Sequence, residues 1–189
     1  TTCSSFQFLT TLLGLCLVWA AGAAAAAPAA LPSLDVDAYM GRWYQVALYP
    51  NRFQSQCLSD TSATYRLVPG GVEVTNQCTT KDGPERVVGM ARPRGSELGG
   101  GMLKPASLEV AFAPTWLRWL PLVWGNYDVV HLTPDKRLAI VSEPSQSYLW
   151  VLSRERSLSD AQWQAVERYA RDNGFDWSRV QREIHRAAP

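Results

Sequence analysis

"DVDAYMGRWYQVALYP", residues 35–50, sets Gly41 two positions before Trp43 and then runs straight into a stretch that reads as a β-strand. The same texture recurs down the chain. Short runs rich in β-branched and aromatic residues fall at 43–49, 61–68, 72–79, 86–91, 107–112, 127–132, 137–142 and 148–154. Turn residues separate them: "PGG" at 69–71 and "TPDK" at 133–136 read as tight hairpins, and "PRGSELGGG" at 93–101 reads as a longer, flexible link. Short strands punctuated in this way predict an all-β sandwich or barrel.

After the last run the apolar period changes from about two to about 3.6. In "SLSDAQWQAVERYARDNG" (157–174), Ser159 and Gln162 form a capping box, Leu158 and Trp163 take hydrophobic-staple positions, and Gly174 supplies a stop. Trp163, Val166 and Ala170 make an apolar stripe, so the helix must lie on something flat, most simply a barrel wall. Meandering antiparallel strands followed by one C-terminal α-helix predict an up-and-down barrel, whose interior holds side chains or one small ligand.

Three features in order then carry a resemblance. Gly41-x-Trp43 opens the first strand, "GNYDVVHL" forms the sixth, and "YLWVLSR" ends the eighth in Arg154, with the helix following. Together they resemble the lipocalin family, most closely its bacterial and apolipoprotein D-like members. The resemblance spans about residues 35–176 and implies an eight-stranded antiparallel barrel with a C-terminal helix, in a domain of residues 31–189 that binds a hydrophobic ligand. It also implies that Trp43 plugs the closed end with the Arg154 guanidinium across its ring, a cation–π contact of about 0.5–2 kcal/mol. Gly41 would let the chain cross the floor without a Cβ in the way.

Strand parity nominates the lining. If Trp43 points inward, so do Gln45, Ala47 and Tyr49. On later strands the more apolar parity brings in Ala63, Tyr65, Val74, Asn76, Gly89, Val110, Phe112, Tyr127, Val129, His131, Val141, Tyr148 and Trp150. Such a lining suits a fatty acid, a lysophospholipid or a similar amphiphile, with the polar members available to hydrogen-bond a head group. Two rivals stand beside this reading. A barrel filled by its own side chains would make a structural envelope protein, and an enzymatic or haem-binding calyx would use His131 or a free cysteine. No Asp or Glu shares the face of His131 to orient it, so neither catalysis, a metal site nor a cofactor is expected.

Residues 1–30 contain no Asp, Glu, Lys or Arg, and an apolar core at 9–21 followed by alanines reads as a signal peptide cleaved between residues 25 and 30. An N-terminal anchor is the alternative, since 6–27 approaches the ~20 residues that cross a bilayer. Cys16 would suit a lipoprotein only behind a small residue, and Leu15 is large. With the bacterial resemblance, the leader implies export to the periplasm or outer membrane of a Gram-negative cell. The remaining residues, about 160, make one domain. A formal net charge of +1 gives no support to nucleic acid as a partner.

Of the four cysteines, Cys3 and Cys16 fall in the leader, leaving Cys57 and Cys78 as one pair, expected to be a disulfide in an oxidising compartment. In "APTWLRWLPLVWGN" (113–126), Trp116, Trp119 and Trp124 with their aliphatic neighbours are too apolar for a solvated loop, and Pro114 and Pro121 oppose one continuous helix. By the alternation of strand ends this loop belongs to the open rim. It is expected to be a lid, a homodimer interface or a membrane contact in which Arg118 meets lipid phosphate.

Overall fold

The computed structural model describes residues 27–186, so almost all of the expected leader, Cys3 and Cys16 included, lies outside the described residues. A short strand β1 (Leu34–Asp35) and a single helical turn α1 (Val36–Tyr39) lead into β2 (Gly41–Leu48). There follow β3 (Ser59–Val68), β4 (Gly71–Thr80), β5 (Gly83–Pro93), β6 (Glu97–Gly99), β7 (Met102–Lys104), β8 (Ser107–Ala111), β9 (Gly125–Leu132), β10 (Leu138–Ser142) and β11 (Leu149–Ser153). A helix α2 (Asp160–Asp172) and a last short strand β12 (Gln181–Arg182) complete the described chain.

Eight of these strands close into an antiparallel barrel in the order β11-β10-β9-β8-β5-β4-β3-β2, with β11 returning to pair with β2. Each expected run is one barrel strand. The "flexible link" at 93–101 is different: it carries β6, which pairs with β7, and β7 pairs with β1 in a separate three-stranded sheet. Leu103 of that hairpin is buried beside Leu34, and its ladder hydrogen bonds were invisible to a reading that weighed only the glycines.

The capping box of α2 is made in full, with the Ser159 amide donating to Gln162 Oε1 at 2.9 Å and the Gln162 amide to Ser159 Oγ at 3.3 Å. Val166 and Ala170 are buried against the outside of the barrel, where Val46, Val130, Ile140 and Val151 form a second core. This explains why β10 is apolar on both faces: one faces the lumen and the other the helix.

The floor is built around Trp43, which is fully buried. The Arg154 guanidinium lies 3.8 Å from its ring centroid and donates to the carbonyls of Arg42, Ala38 and Met40 at 2.7–2.9 Å. Gly41 has φ +89°, and an added Cβ would meet only Arg154 Nη1 at 3.5 Å. Backbone conformation rather than crowding is what demands glycine there.

Two β-bulges change the faces expected from simple alternation. On β2 the pairing with β11 steps from Leu152↔Gln45 to Val151↔Ala47, so one extra residue, Val46, turns the rest of the strand over. Ala47 and Tyr49, expected in the lumen, therefore lie outside under α2, where Tyr49 meets Phe175 edge-on at 6.3 Å. On β9 the partners step from Val129 to His131 across one bond of β10. Val129 faces the lumen, and His131 is turned out against Tyr169 of α2, ring centroids 4.5 Å apart. Tyr169 donates its hydroxyl to the carbonyl of Val130, the bulged residue, at 2.8 Å.

Candidate ligand-binding site

The remaining nominated residues on the strands share the lumen face through a continuous register, and Phe112 and Tyr148 lie just beyond the ends of β8 and β11. Trp43 pairs with Ala63, Ala63 with Asn76, and Asn76 with Val87; Tyr65 pairs with Val74, and Val74 with Gly89. Val110, Tyr127, Val141 and Trp150 complete the ring on β8 to β11, and Tyr148 stacks on Trp150 with centroids 5.6 Å apart. A Cβ on Gly89 would fall 2.6 Å from Phe112 Cδ1, so this glycine makes room for that ring.

The mouth of the barrel is the end at which β2 finishes and β3 begins. Val87 and Phe112 share the lumen face yet stay 42% and 39% exposed. Asn76 Oδ1 is buried without a hydrogen-bond partner. A polar strap crosses this end: Trp150 Nε1 donates to Gln54 Oε1 (3.0 Å), Gln54 Nε2 to Gln45 Oε1 (2.9 Å), and Gln45 Nε2 to Glu183 Oε2 (3.1 Å). Glu183 Oε1 accepts from Thr61 Oγ1 at 2.8 Å. Glu183 and Gln54 were missed by the sequence reading, because one lies in a loop and the other past the helix. β3 pairs with β2 only over residues 41–44 and β12 takes over at 47–48, so the C-terminal segment is threaded into the wall between them.

At the opposite end, behind α1, lies an apolar cavity of about 310 Å³ lined by Val36, Met40, Val72, Ala91, Leu103, Leu108 and Val110, among others. Its polar side chains are three tyrosines. Tyr39 Oη and Tyr65 Oη each lie within hydrogen-bond distance of Tyr127 Oη, at 2.8 and 2.9 Å. Burial pushes the Tyr65 phenol up to about 12 and lifts those of Tyr39 and Tyr127 well above the usual phenol range, so all three stay protonated near neutral pH. Tyr39 was also missed, since nothing in "VDAY" announces that a helical turn will deliver it beneath the barrel.

The aromatic loop stands on two 3-10 turns, Thr115–Leu117 and Pro121–Val123. Trp124 and Arg118 act as its braces. Trp124 Nε1 donates to the Arg118 carbonyl (2.8 Å), Arg118 Nε to the Ala113 carbonyl (2.9 Å), and Arg92 lies 3.9 Å from the Trp124 ring centroid. Trp116, Trp119 and Leu122 are 72%, 77% and 83% exposed, so they do not pack over the lumen as a lid. On the same rim Cys57 and Cys78 form a disulfide with Cα atoms 5.6 Å apart.

Among the described residues no group of three or more His, Cys, Asp or Glu is placed to hold a metal ion, and no helix is long and apolar enough to cross a membrane. With His131 outside the lumen and both described cysteines bonded to each other, the residues that a haem or thiol reading would use are not in the calyx.

Comparison with known proteins agrees with this geometry. The chain is 36% identical over 152 residues to temperature-induced lipocalin-1 of Arabidopsis thaliana, covering 78% of this chain and 77% of the relative. It is 33% identical over 149 residues to the outer membrane lipoprotein Blc of Escherichia coli K12, with the same coverage of 78% and 77%. Among solved structures, lobster apocrustacyanin A1 superposes with a TM-score of 0.60 at 16% identity, over 80% of this chain and 79% of that one. The family model described as "Lipocalin-like domain" matches residues 34–185, and the chain therefore belongs to the lipocalin family.

Proposed function

We propose that this lipocalin is an exported binding protein, without catalysis, that takes up a single-chain amphiphile at its open mouth next to a membrane. The observation that carries the reading is the mouth itself. Val87 and Phe112 face inward yet remain exposed, and the rim beside them displays Trp116, Trp119 and Leu122. Tryptophan favours the membrane–water boundary, where its ring is buried and its N–H stays wet. A lipid leaving a bilayer there would reach the lumen without crossing water. Similarity to outer membrane lipoprotein Blc and to apolipoprotein D supports an envelope location and a lipid cargo.

Between a fatty acid and a lysophospholipid, the polar strap favours the second. Glu183 brings a carboxylate to the mouth, and a bare anionic head group beside it would be repelled, whereas Gln45, Gln54 and Asn76 suit a zwitterionic or uncharged one. Lipid extraction from the purified protein followed by native mass spectrometry tests the cargo: a co-purifying lysophospholipid supports the reading, and an empty barrel refutes it. Liposome co-sedimentation tests the docking. The double variant Trp116→Ser/Trp119→Ser is expected to bind vesicles at least about tenfold more weakly than wild type with its fold intact. Equal binding by both would remove the membrane contact.

A further inference from the structure

The outer wall of the barrel carries a groove that is separate from the calyx. On β2, Arg42 and Tyr44 alternate with the lumen-facing Trp43. Tyr44 pairs with Ser62, Ser62 with Gln77, and Gln77 with Arg86, so one row of side chains crosses four strands on the outside. That row and Arg42 line an open groove of about 490 Å³, and none of the residues nominated for the lumen lines it. The C-terminal segment is laid across the same wall. The Arg186 amide donates to Asp60 Oδ1 at 2.7 Å and Arg156 Nη1 donates to the Arg186 carbonyl at 2.9 Å, which brings Arg156 and Arg186 into the lining. We propose that this outer groove is a binding site for the dianionic phosphate of a phosphomonoester.

The arginines of the groove lack the partners that arginines have elsewhere on this wall. Arg66 stands opposite Glu73 and donates to it at 2.9 Å, and Arg92 stands opposite Glu109 and pairs with it. In the groove the residue opposite Arg42 is Thr64, and the one opposite Arg86 is Gln77. Arg86 reaches only Thr75 Oγ1, at 3.4 Å, and Arg156 only a backbone carbonyl. Asp60 is the nearest carboxylate to Arg186, with 4.0 Å from Nε to Oδ2, and it is already engaged, accepting from Ser59 Oγ at 2.7 Å as well as from the Arg186 amide. Guanidinium groups gathered in one concave surface without carboxylates to pair them raise the local concentration of an anion there.

Charge and donor chemistry select the anion. Four arginines against Asp60 and Glu85 leave the lining at +2. A phosphomonoester carries about −1.5 to −2 near neutral pH and matches that charge, whereas a carboxylate or a phosphodiester brings only one negative charge. The guanidinium fork bonds phosphate oxygens two at a time, and phosphate has enough oxygens to meet several forks at once. Ser62 and Gln77, between Tyr44 and Arg86 in the row, add a hydroxyl and an amide to the floor, and a groove of about 490 Å³ leaves room beside the phosphate for a polar organic remainder.

The test has two arms, both at low ionic strength. Calorimetric titration of the purified protein with glycerol 3-phosphate, against glycerol, probes a free ester; co-sedimentation with phosphatidylcholine vesicles that contain or lack phosphatidic acid probes the same group on a lipid. Wild type is expected to bind glycerol 3-phosphate and not glycerol. The exposed pair Arg42→Gln/Arg86→Gln is expected to weaken that binding at least about tenfold, and the charge-matched pair Arg66→Gln/Arg171→Gln, outside the groove, to leave it within about twofold, with circular dichroism confirming the fold of each. Binding that the groove pair loses only on the phosphatidic acid vesicles supports the site and assigns its phosphate to a lipid head group. The proposal is overturned if neither phosphate probe binds better than its control, if the groove pair binds both as wild type does, or if the charge-matched pair loses as much. Neither arm reads the lumen, so the lipid extracted from the barrel stands or falls separately.

Discussion

Trp43→Ala is expected to lower the unfolding free energy by about 3–5 kcal/mol, the loss typical of a fully buried aromatic core residue. The indole has no solvent exposure, its Nε1 donates to the Tyr39 carbonyl at 2.8 Å, and the Tyr39 ring lies 5.0 Å from it. Truncation would leave that buried carbonyl without its donor, strip Arg154 of the ring it covers and open a void beneath the lumen. Chemical denaturation followed by circular dichroism checks this. A loss below about 1.5 kcal/mol would mean that the floor collapses around the missing ring and that its placement as the plug is mistaken.

Removing the Cys57–Cys78 disulfide, by Cys57→Ser/Cys78→Ser, is expected to cost about 3 kcal/mol and to lower Tm by about 6–12 °C. The two cysteines are 21 residues apart in sequence, and the bond chiefly restricts the unfolded chain. Its folded-state effect is local. Gln54, which bridges Gln45 and Trp150 in the strap, sits three residues before Cys57 and is held to it by a backbone bond at 2.9 Å. Thermal unfolding of the variant, with thiol titration of the denatured wild type, makes the comparison. Free thiols in the unreduced wild type would contradict the premise, and an unchanged Tm would show that the rim holds without the bond.

The barrel and its floor were readable in the chain because they rest on local, periodic signals. Alternation marked all eight strands, a capping box marked α2, and Gly41, Trp43 and Arg154 marked the closed end. Ala47, Tyr49 and His131 were misplaced for a single physical reason. A bulge inserts one residue and inverts every face beyond it, and a valine such as Val46 or Val130 is an ordinary strand residue that does not mark itself as bulged. What creates the bulges is tertiary: α2 covers that wall and takes up the apolar residues they turn outward, with Tyr169 bonding the Val130 carbonyl. The polar parts of the lumen were hidden in another way. Tyr39, Gln54 and Glu183 come from a helical turn, a loop and the tail, where strand parity says nothing.

The threading of the C-terminal segment between β2 and β3 bears on how the molecule reaches its final form. Gln45 and Glu183, which meet in that seam, are 138 residues apart, so the wall is finished by one of the most non-local contacts in the chain. Until the tail arrives, the outer half of β2 has nothing to pair with on that side, and Asp60, whose amide donates to the Ile184 carbonyl at 2.9 Å, loses its partner. A chain cut after residue 180 would keep eight strands and the helix and still present a bare sheet edge, the kind of edge that recruits another chain. Sedimentation velocity should then show the shortened protein associating as concentration rises, beside an intact protein that does so less. In the cell, a nascent or trimmed chain would carry the same open seam, and residues 181–184 would act as a built-in guard against self-association.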